Sequence, residues 1–220
     1  PNEFPIVPST RSAILVAGGI GVTPIVAIAR ELKARGIGFA VHYTARGEAT
    51  AAYRGELAAM GGEAYRFYDT AREGSSRMPL QEVLGAPVAG RHVYVCGPAS
   101  LVDAVVEAAL AQGYPPECVH HELFKAPPPK STDRPVKVDL TRSGTRLEVA
   151  PGTSILDAVL AAGVYVPHSC KRGECGECAV KVAAGSVSHR DRFLTPEQRG
   201  GGLACICVSW SDGDAITLNL

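Results

Sequence analysis

Three cysteines in the last quarter of the chain constrain its fold more than any other feature. Cys170, Cys175 and Cys178 follow the spacing C-x4-C-x2-C, and Gly173 and Gly176 supply the tight curvature that a ligand loop needs. This spacing is typical of a plant-type [2Fe–2S] cluster, whose fourth thiolate comes from a distant cysteine. Two later residues qualify and are predicted to share one face of a strand, Cys205 and Cys207.

Two other metal centres fit these residues less well. A structural zinc site favours two C-x2-C pairs, and the sequence has one. A Rieske centre replaces two cysteines with histidines on one iron, whereas His168 only precedes its cysteine. A zinc-stabilised interaction protein is therefore the weaker hypothesis.

Composition excludes several classes of partner. The 22 basic and 22 acidic side chains cancel, which removes any general electrostatic reason to bind nucleic acid or an anionic membrane. No apolar stretch is long enough to span a bilayer, and we expect no signal peptide. The seven cysteines are odd in number and unevenly spread, which favours metal-binding thiols in the cytoplasm over a disulfide scaffold. Because residue 1 is proline, we expect a fragment or a processed product.

The chain divides into two parts of different pattern. Residues 1–125 alternate strands with helices, which predicts a doubly wound, parallel five-stranded α/β sheet. A proline-rich segment, 126–135, predicts a semi-rigid linker, and 136–220 predict a small α+β domain. The predicted strands are 13–17, 39–44, 63–68, 92–96, 118–124, 136–141, 145–149, 179–182, 203–208 and 215–220, and the predicted helices are 23–35, 51–59, 80–84, 99–112 and 155–162.

A glycine-rich turn follows the first predicted strand. Its glycines let the backbone approach a pyrophosphate at the N-terminus of the next helix, which a threonine cap and a proline at the first helical position are predicted to open. Because that proline replaces the third glycine of the dinucleotide fingerprint, a merely tight turn explains the residues equally well. The candidate nucleotide contacts here are Gly18, Gly19, Gly21, Thr23 and Pro24.

A second turn, Cys96-Gly97-Pro98, follows a later strand. It falls at the sheet edge where ligands bind in open α/β folds. Arg46, after the second strand, favours a ribose 2′-phosphate and hence NADPH, although a solvated surface arginine explains it equally well.

These motifs together resemble one known family over almost the whole chain. The hairpin, the helix, the P-H-S-C-x4-C-x2-C loop and the late Cys-Val-Ser are similar to the ferredoxin domain of the phthalate dioxygenase reductase and vanillate demethylase reductase family. Reductase regions of self-sufficient haem monooxygenases are similar too. The resemblance implies a β-grasp ferredoxin domain with Cys207 as the fourth ligand and Cys205 as a packed residue.

The first half resembles the nucleotide module of ferredoxin–NADP reductase-like enzymes, through G-G-x-G-x-T-P and the later Cys-Gly-Pro. This resemblance implies that Cys96 lies against the nicotinamide and that Phe124 approaches a flavin ring. The plain alternatives are a small buried residue at 96 and a linker-packing aromatic at 124. FMN is implied as well, held by an N-terminal barrel that this sequence lacks, with residues 1–5 as its exit segment.

Electron counting orders these cofactors. A nicotinamide gives two electrons and a [2Fe–2S] cluster takes one, so a flavin must act between them. We therefore expect an NAD(P)H-dependent oxidoreductase, the portion of an oxygenase reductase that binds NAD(P)H and the cluster. Its partner would be a Rieske-type terminal oxygenase or a fused haem monooxygenase. The family mostly uses NADH, so the choice of nucleotide stays open. The alternative function is an electron-carrier module without nucleotide chemistry.

Overall fold

The computed structural model describes residues 4–71 and 77–220 and divides the chain into two compact units. The first unit ends at Phe124 and the second begins at Lys125. No helix within the described ranges combines the length and apolar character required to cross a bilayer.

The first unit is built on a parallel five-stranded sheet in the order β3-β2-β1-β4-β5, which confirms the predicted doubly wound architecture. Its strands are β1 (Ser12–Gly18), β2 (Gly38–Ala45), β3 (Tyr65–Asp69), β4 (Arg91–Cys96) and β5 (Val119–Glu122). Its helices are α1 (Val22–Ala34), α2 (Arg54–Gly61), α3 (Leu80–Leu84) and α4 (Ala99–Ala111).

Apolar layers cover both faces of this sheet. The β1 run is buried along almost its entire length, as expected of a central parallel strand. One face packs against α1 and α2, with Leu15 and Leu32 completely buried. The other face packs against α3 and α4 around Val16 and Val105. The sheet therefore holds its strand ends, and the turns that follow them, on a rigid base.

The predicted opening of α1 is wrong in detail. A short 3-10 turn, Gly19–Gly21, precedes the helix, and Gly21 occupies the N-cap position without a side-chain cap. Thr23 and Pro24 lie at the second and third helical positions, and Thr23 Oγ1 donates to the Ile20 carbonyl at 3.1 Å. Proline is tolerated there because the first-turn N–H groups have no helical partner.

The second unit is a mixed five-stranded sheet in the order β10-β8-β12-β6-β7, with a two-stranded ladder of β11 and β9 beside it, which confirms the β-grasp prediction. Its strands are β6 (Val136–Leu140), β7 (Arg146–Val149), β8 (Ala179–Ala184), β9 (Val187–Ser188), β10 (Leu203–Cys205), β11 (Trp210–Ser211) and β12 (Ala215–Leu218). Its helices are α5 (Ile155–Ala161), capped by the predicted Ser154, and α6 (Pro196–Gly200).

The end of β10 differs from the prediction. The expected strand 203–208 stops at Cys205, and Ile206–Val208 form a turn that is closed by the Ser209 N–H donating to the Cys205 carbonyl at 3.0 Å. Cys205 and Cys207 therefore do not share a strand face, because one is the last strand residue and the other lies in the turn.

The proline-rich segment is fastened to the second unit at its C-terminal end. Asp133 and Arg190 form a two-pronged ion pair whose side chains are 4% and 8% exposed. Trp210 Nε1 donates to the Arg134 carbonyl at 3.1 Å. Residues 133 and 134 are thus part of the packed unit.

Candidate functional site

A cleft opens at the carboxyl ends of β1, β2 and β4 in the first unit. Its volume is about 510 Å³. β2 lies on one side of β1 and β4 on the other, so the direction in which the chain adds strands reverses at β1. This position is the topological switch point, where open α/β sheets bind ligands. The cleft is lined by Gly18, Gly19, Ile20, Thr44, Ala45, Arg46, Thr50, Thr70, Pro98, Ser100 and Leu101.

Close packing of the two turns explains several of the predicted glycines. A Cβ on Gly21 would lie 2.3 Å from the carbonyl oxygen of Cys96 and 2.6 Å from the nitrogen of Gly97. A Cβ on Gly97 would in turn lie 3.0 Å from the Cα of Gly18. Gly19 differs, because its φ is +52° and a Cβ there would meet nothing within 4 Å. Gly21 therefore allows turn-to-turn contact, whereas Gly19 leaves the backbone open towards the cleft.

The structure brings together half of the predicted nucleotide contacts. Those that line the cleft are Gly18, Gly19, Arg46 and Pro98. Those that lie beside it without lining it are Gly21, Thr23, Pro24 and Gly97. Arg46 is exposed at the rim, immediately after β2.

A carboxylate missed by the sequence reasoning lies close to Arg46. Asp69, at the end of β3, accepts hydrogen bonds from the N–H groups of Gly47 and Ala71, each at 2.9 Å. It therefore fixes the loop that carries Arg46. The hydroxyls of Thr44, Thr70 and Ser100 in the cleft were also missed, although each lies at or just after the end of a strand or in the first turn of α4.

Cys96 and Phe124 occupy contrasting positions. Cys96 ends β4, and its side chain has no exposed surface. Phe124 is the last residue of the first unit and is 40% exposed. The proposed contacts of these two side chains with nicotinamide and flavin stay predictions.

The cysteine loop of the second unit is shaped by residues with left-handed backbone. Gly173 and Gly176 have φ values of +78° and +75°, and Lys171 has +53°. A Cβ on Gly173 would lie 2.6 Å from the Val208 side chain, and one on Gly176 would lie 2.1 Å from the Phe193 ring. Glycine is therefore required twice, for conformation and for space.

The thiols of this loop fall into two groups. Cys170 and Cys175 share a hydrogen bond, and Cys178 shares hydrogen bonds with Cys205 and Cys207. These two hydrogen bonds lower the pKa of Cys178 to about 3. Burial opposes ionisation of Cys170, but the N–H groups of Arg172, Glu174 and Cys175, together with the Cys175 thiol, outweigh it and lower its pKa. Burial raises the pKa of Cys175, so the surroundings favour a negative sulfur at two of the three thiols of the loop.

Cys207 and Cys205 have different electrostatic surroundings. The hydrogen bond with Cys178, followed by burial, raises the pKa of both thiols. Cys207 additionally accepts a hydrogen bond from the Gly173 N–H and interacts electrostatically with Cys170 across the loop. Cys205 instead faces the Asp191 carboxylate, which opposes a second negative charge.

A two-iron cluster fits this donor set. Each iron of a [2Fe–2S] cluster takes two protein ligands, and the thiols are grouped as one pair and one trio from which a pair can be drawn.

Comparisons with known proteins agree with both halves of the structure. Residues 138–209 match the family described as "2Fe-2S iron-sulfur cluster binding domain", and residues 2–119 match "Dimethylamine monooxygenase subunit DmmA-like, N-terminal domain". The heme-dependent oxidative N-demethylase beta subunit of Ectopseudomonas mendocina is 42% identical over 219 residues, which are 100% of this chain and 69% of that protein. The phthalate dioxygenase reductase of Burkholderia cepacia is 33% identical over 222 residues, which are 100% of this chain and 68% of that protein. The chain belongs to the phthalate dioxygenase reductase family.

Solved structures extend this family likeness to three dimensions. A phthalate dioxygenase reductase, described as a modular structure for electron transfer from pyridine nucleotides to [2Fe–2S], matches with a TM-score of 0.75 at 33% identity, covering 100% of this chain and 68% of that one. An intact type IV self-sufficient cytochrome P450 monooxygenase matches with a TM-score of 0.68 at 36% identity, covering 100% of this chain and 29% of that one. The predicted family, fold and cluster type are therefore confirmed.

Proposed function

We propose that this chain takes electrons from NAD(P)H and delivers them singly, through a [2Fe–2S] cluster, to a terminal oxygenase. The proposal is supported by the cleft at the switch point, which suits a nucleotide, and by the cysteine loop, which suits a cluster. The proposal divides the chain into a nucleotide domain (1–125), a linker (126–135) and a ferredoxin domain (136–220). The observation that carries it is the shared presence of both sites in one chain whose relatives are oxygenase reductases.

The residues of the cleft bind and orient the nucleotide. The Gly19 backbone and the N-terminus of α1 face a pyrophosphate, and the cleft hydroxyls of Thr44, Thr70 and Ser100 are available to phosphate and ribose oxygens. Arg46 at the rim favours a 2′-phosphate and hence NADPH. The family that this chain resembles mostly uses NADH, so both nucleotides stay in the proposal.

The thiolates of Cys170, Cys175, Cys178 and Cys207 hold the cluster. The choice of Cys207 over Cys205 is supported by the Gly173 N–H directed at Cys207 and by the carboxylate facing Cys205. N–H groups of the loop stabilise negative sulfur, as the Arg172 N–H does for Cys170 at 3.3 Å. When bound, the cluster supplies a one-electron carrier.

A flavin domain completes the proposed path, because FMN accepts a hydride from a nicotinamide and releases electrons one at a time. The relatives of this family are longer than the 220 residues that match them, which leaves room for such a domain. Phe124 and Cys96 are proposed to approach the flavin and the nicotinamide, respectively.

The similarity favours a haem-containing partner over a Rieske-type oxygenase. The heme-dependent N-demethylase subunit is 42% identical, whereas the phenoxybenzoate dioxygenase subunit beta is 37% and the phthalate dioxygenase reductase 33% identical. A Rieske-type oxygenase is the second candidate.

Seven cysteines without a disulfide among the described residues support a reducing, cytoplasmic location.

Nucleotide binding separates this function from a simple electron carrier. Titration calorimetry with NADPH and with NADH should show one site per chain, and low-temperature electron paramagnetic resonance after dithionite should show one reduced cluster. A normal cluster signal without binding of either nucleotide would favour the carrier module. A colourless protein that contains zinc would refute the cluster itself.

A further inference from the structure

One buried carboxylate of the second unit is neither a proposed cluster ligand nor a proposed nucleotide contact. The Asp191 side chain is completely buried, and it lies in the segment between β9 and α6. Buried carboxylates are unusual unless every oxygen has a partner, so its surroundings need an explanation.

Donor groups surround the Asp191 carboxylate on both sides. Oδ2 accepts from the Leu194 N–H at 2.9 Å and from the Arg199 guanidinium at 3.3 Å. Oδ1 accepts from the Ser209 hydroxyl at 3.3 Å and lies 3.5 Å from Nδ1 of His189. Because each of these neighbours presents a nitrogen or a hydroxyl, the site suits a carboxylate that acts only as an acceptor.

The same segment lies against the cysteine loop. A Cβ on Gly173 would lie 3.0 Å from the Asp191 Cα, and the Arg192 N–H donates to the Gly173 carbonyl at 2.9 Å. Gly173 in turn donates its N–H to Cys207. Ser209, which donates to the Asp191 carboxylate, lies two residues after that cysteine.

We propose that Asp191 is a positioning residue of the cluster: it joins the cysteine loop to the turn that carries Cys207, and its buried negative charge makes the cluster a stronger one-electron reductant. A negative charge near the cluster disfavours the added electron, because reduction makes the cluster more negative. Ser209 and Leu194 fix the position of the carboxylate, and Arg199 balances part of its charge.

The proposal rests on the cluster assignment above, and its test is the midpoint potential of the purified chain. Asp191→Asn keeps the shape and removes the charge, so we expect the potential to become more positive by about 59 mV, which is a tenfold change in the one-electron equilibrium. Arg199→Gln should shift the potential in the opposite direction. Asp212→Asn, at an exposed position of the same unit, is the matched control and should change it little.

Each outcome of these measurements either supports or overturns the role proposed for Asp191. Opposite shifts for Asp191→Asn and Arg199→Gln, with normal cluster content, support the proposal. A shift of Asp191→Asn no larger than that of the control, or shifts of the same sign in both variants, overturns it. If Asp191→Asn does not assemble a cluster, an unchanged potential in Arg199→Gln overturns the charge effect. An unmodified chain without any cluster would contradict the proposed function instead.

Discussion

Gly21→Ala tests whether this glycine is required by packing between the two turns. The residue has an ordinary backbone conformation, with φ −61° and ψ −5°, so alanine should on conformational grounds stabilise the fold by about 0.5–1 kcal/mol. The new Cβ, however, would lie 2.3 Å from the Cys96 carbonyl oxygen and 2.4 Å from its carbon, both rigid backbone atoms. Overpacking of this kind costs about 1–3 kcal/mol, and the close backbone contacts place it at the upper end. We therefore expect a net loss of about 2 kcal/mol.

The assay is differential scanning calorimetry of the whole chain, in which the transition of the first unit is measured and the visible absorption of the cluster is followed in parallel. For a unit of this size, about 2 kcal/mol corresponds to a decrease in Tm of roughly 8 °C. Gly55→Ala is the matched control, because Gly55 lies inside α2 and a Cβ there would meet nothing within 4 Å. It should raise the Tm by a few degrees. A Tm for Gly21→Ala equal to or above that of the unmodified chain would refute the packing argument.

Three further predictions concern the ligands, the nucleotide and pH. Cys207→Ser should bleach the visible absorption of the cluster, whereas Cys205→Ser should retain it; the reverse result would exchange the fourth ligand. Arg46→Asp should reduce the affinity for NADPH, measured by calorimetry, at least tenfold more than that for NADH, and equal losses would make Arg46 a bystander. Burial lowers the pKa of His42 and of His120 to about 4, so the folded unit resists their protonation. Stability should therefore be full above pH 6.5 and fall as the pH decreases towards 4, and His120→Gln should flatten that dependence in urea unfolding.

The architecture of both units followed from sequence because periodicity and spacing report on burial. The continuous apolar run of β1 indicated a strand buried on both faces, and the cysteine spacing fixed a loop whose curvature needs glycine. These signals are local, and the folded chain retains them.

Details that depend on distant contacts could not be predicted. The glycine turn winds into a 3-10 segment because Gly21 packs on the Cys96 backbone, which displaces Thr23 from the cap position. The strand that ends at Cys205 is cut short by a turn. The next two residues in strand conformation, Trp210 and Ser211, pair with β9 instead. Asp191 gave no sequence signal, because its contact with Ser209 joins residues 18 positions apart in the sequence.

Anaerobic stopped-flow spectroscopy tests the electron path most directly. The 220-residue chain, reconstituted with its cluster and free of flavin, is mixed with NADPH or NADH, and bleaching of the cluster is followed with and without an added FMN domain from a family member. Because a hydride carries two electrons and the cluster accepts one, we predict no useful reduction by either nucleotide without flavin, rapid reduction with it, and full reduction by dithionite in both cases. Rapid bleaching by NAD(P)H in the flavin-free chain would contradict the proposed path.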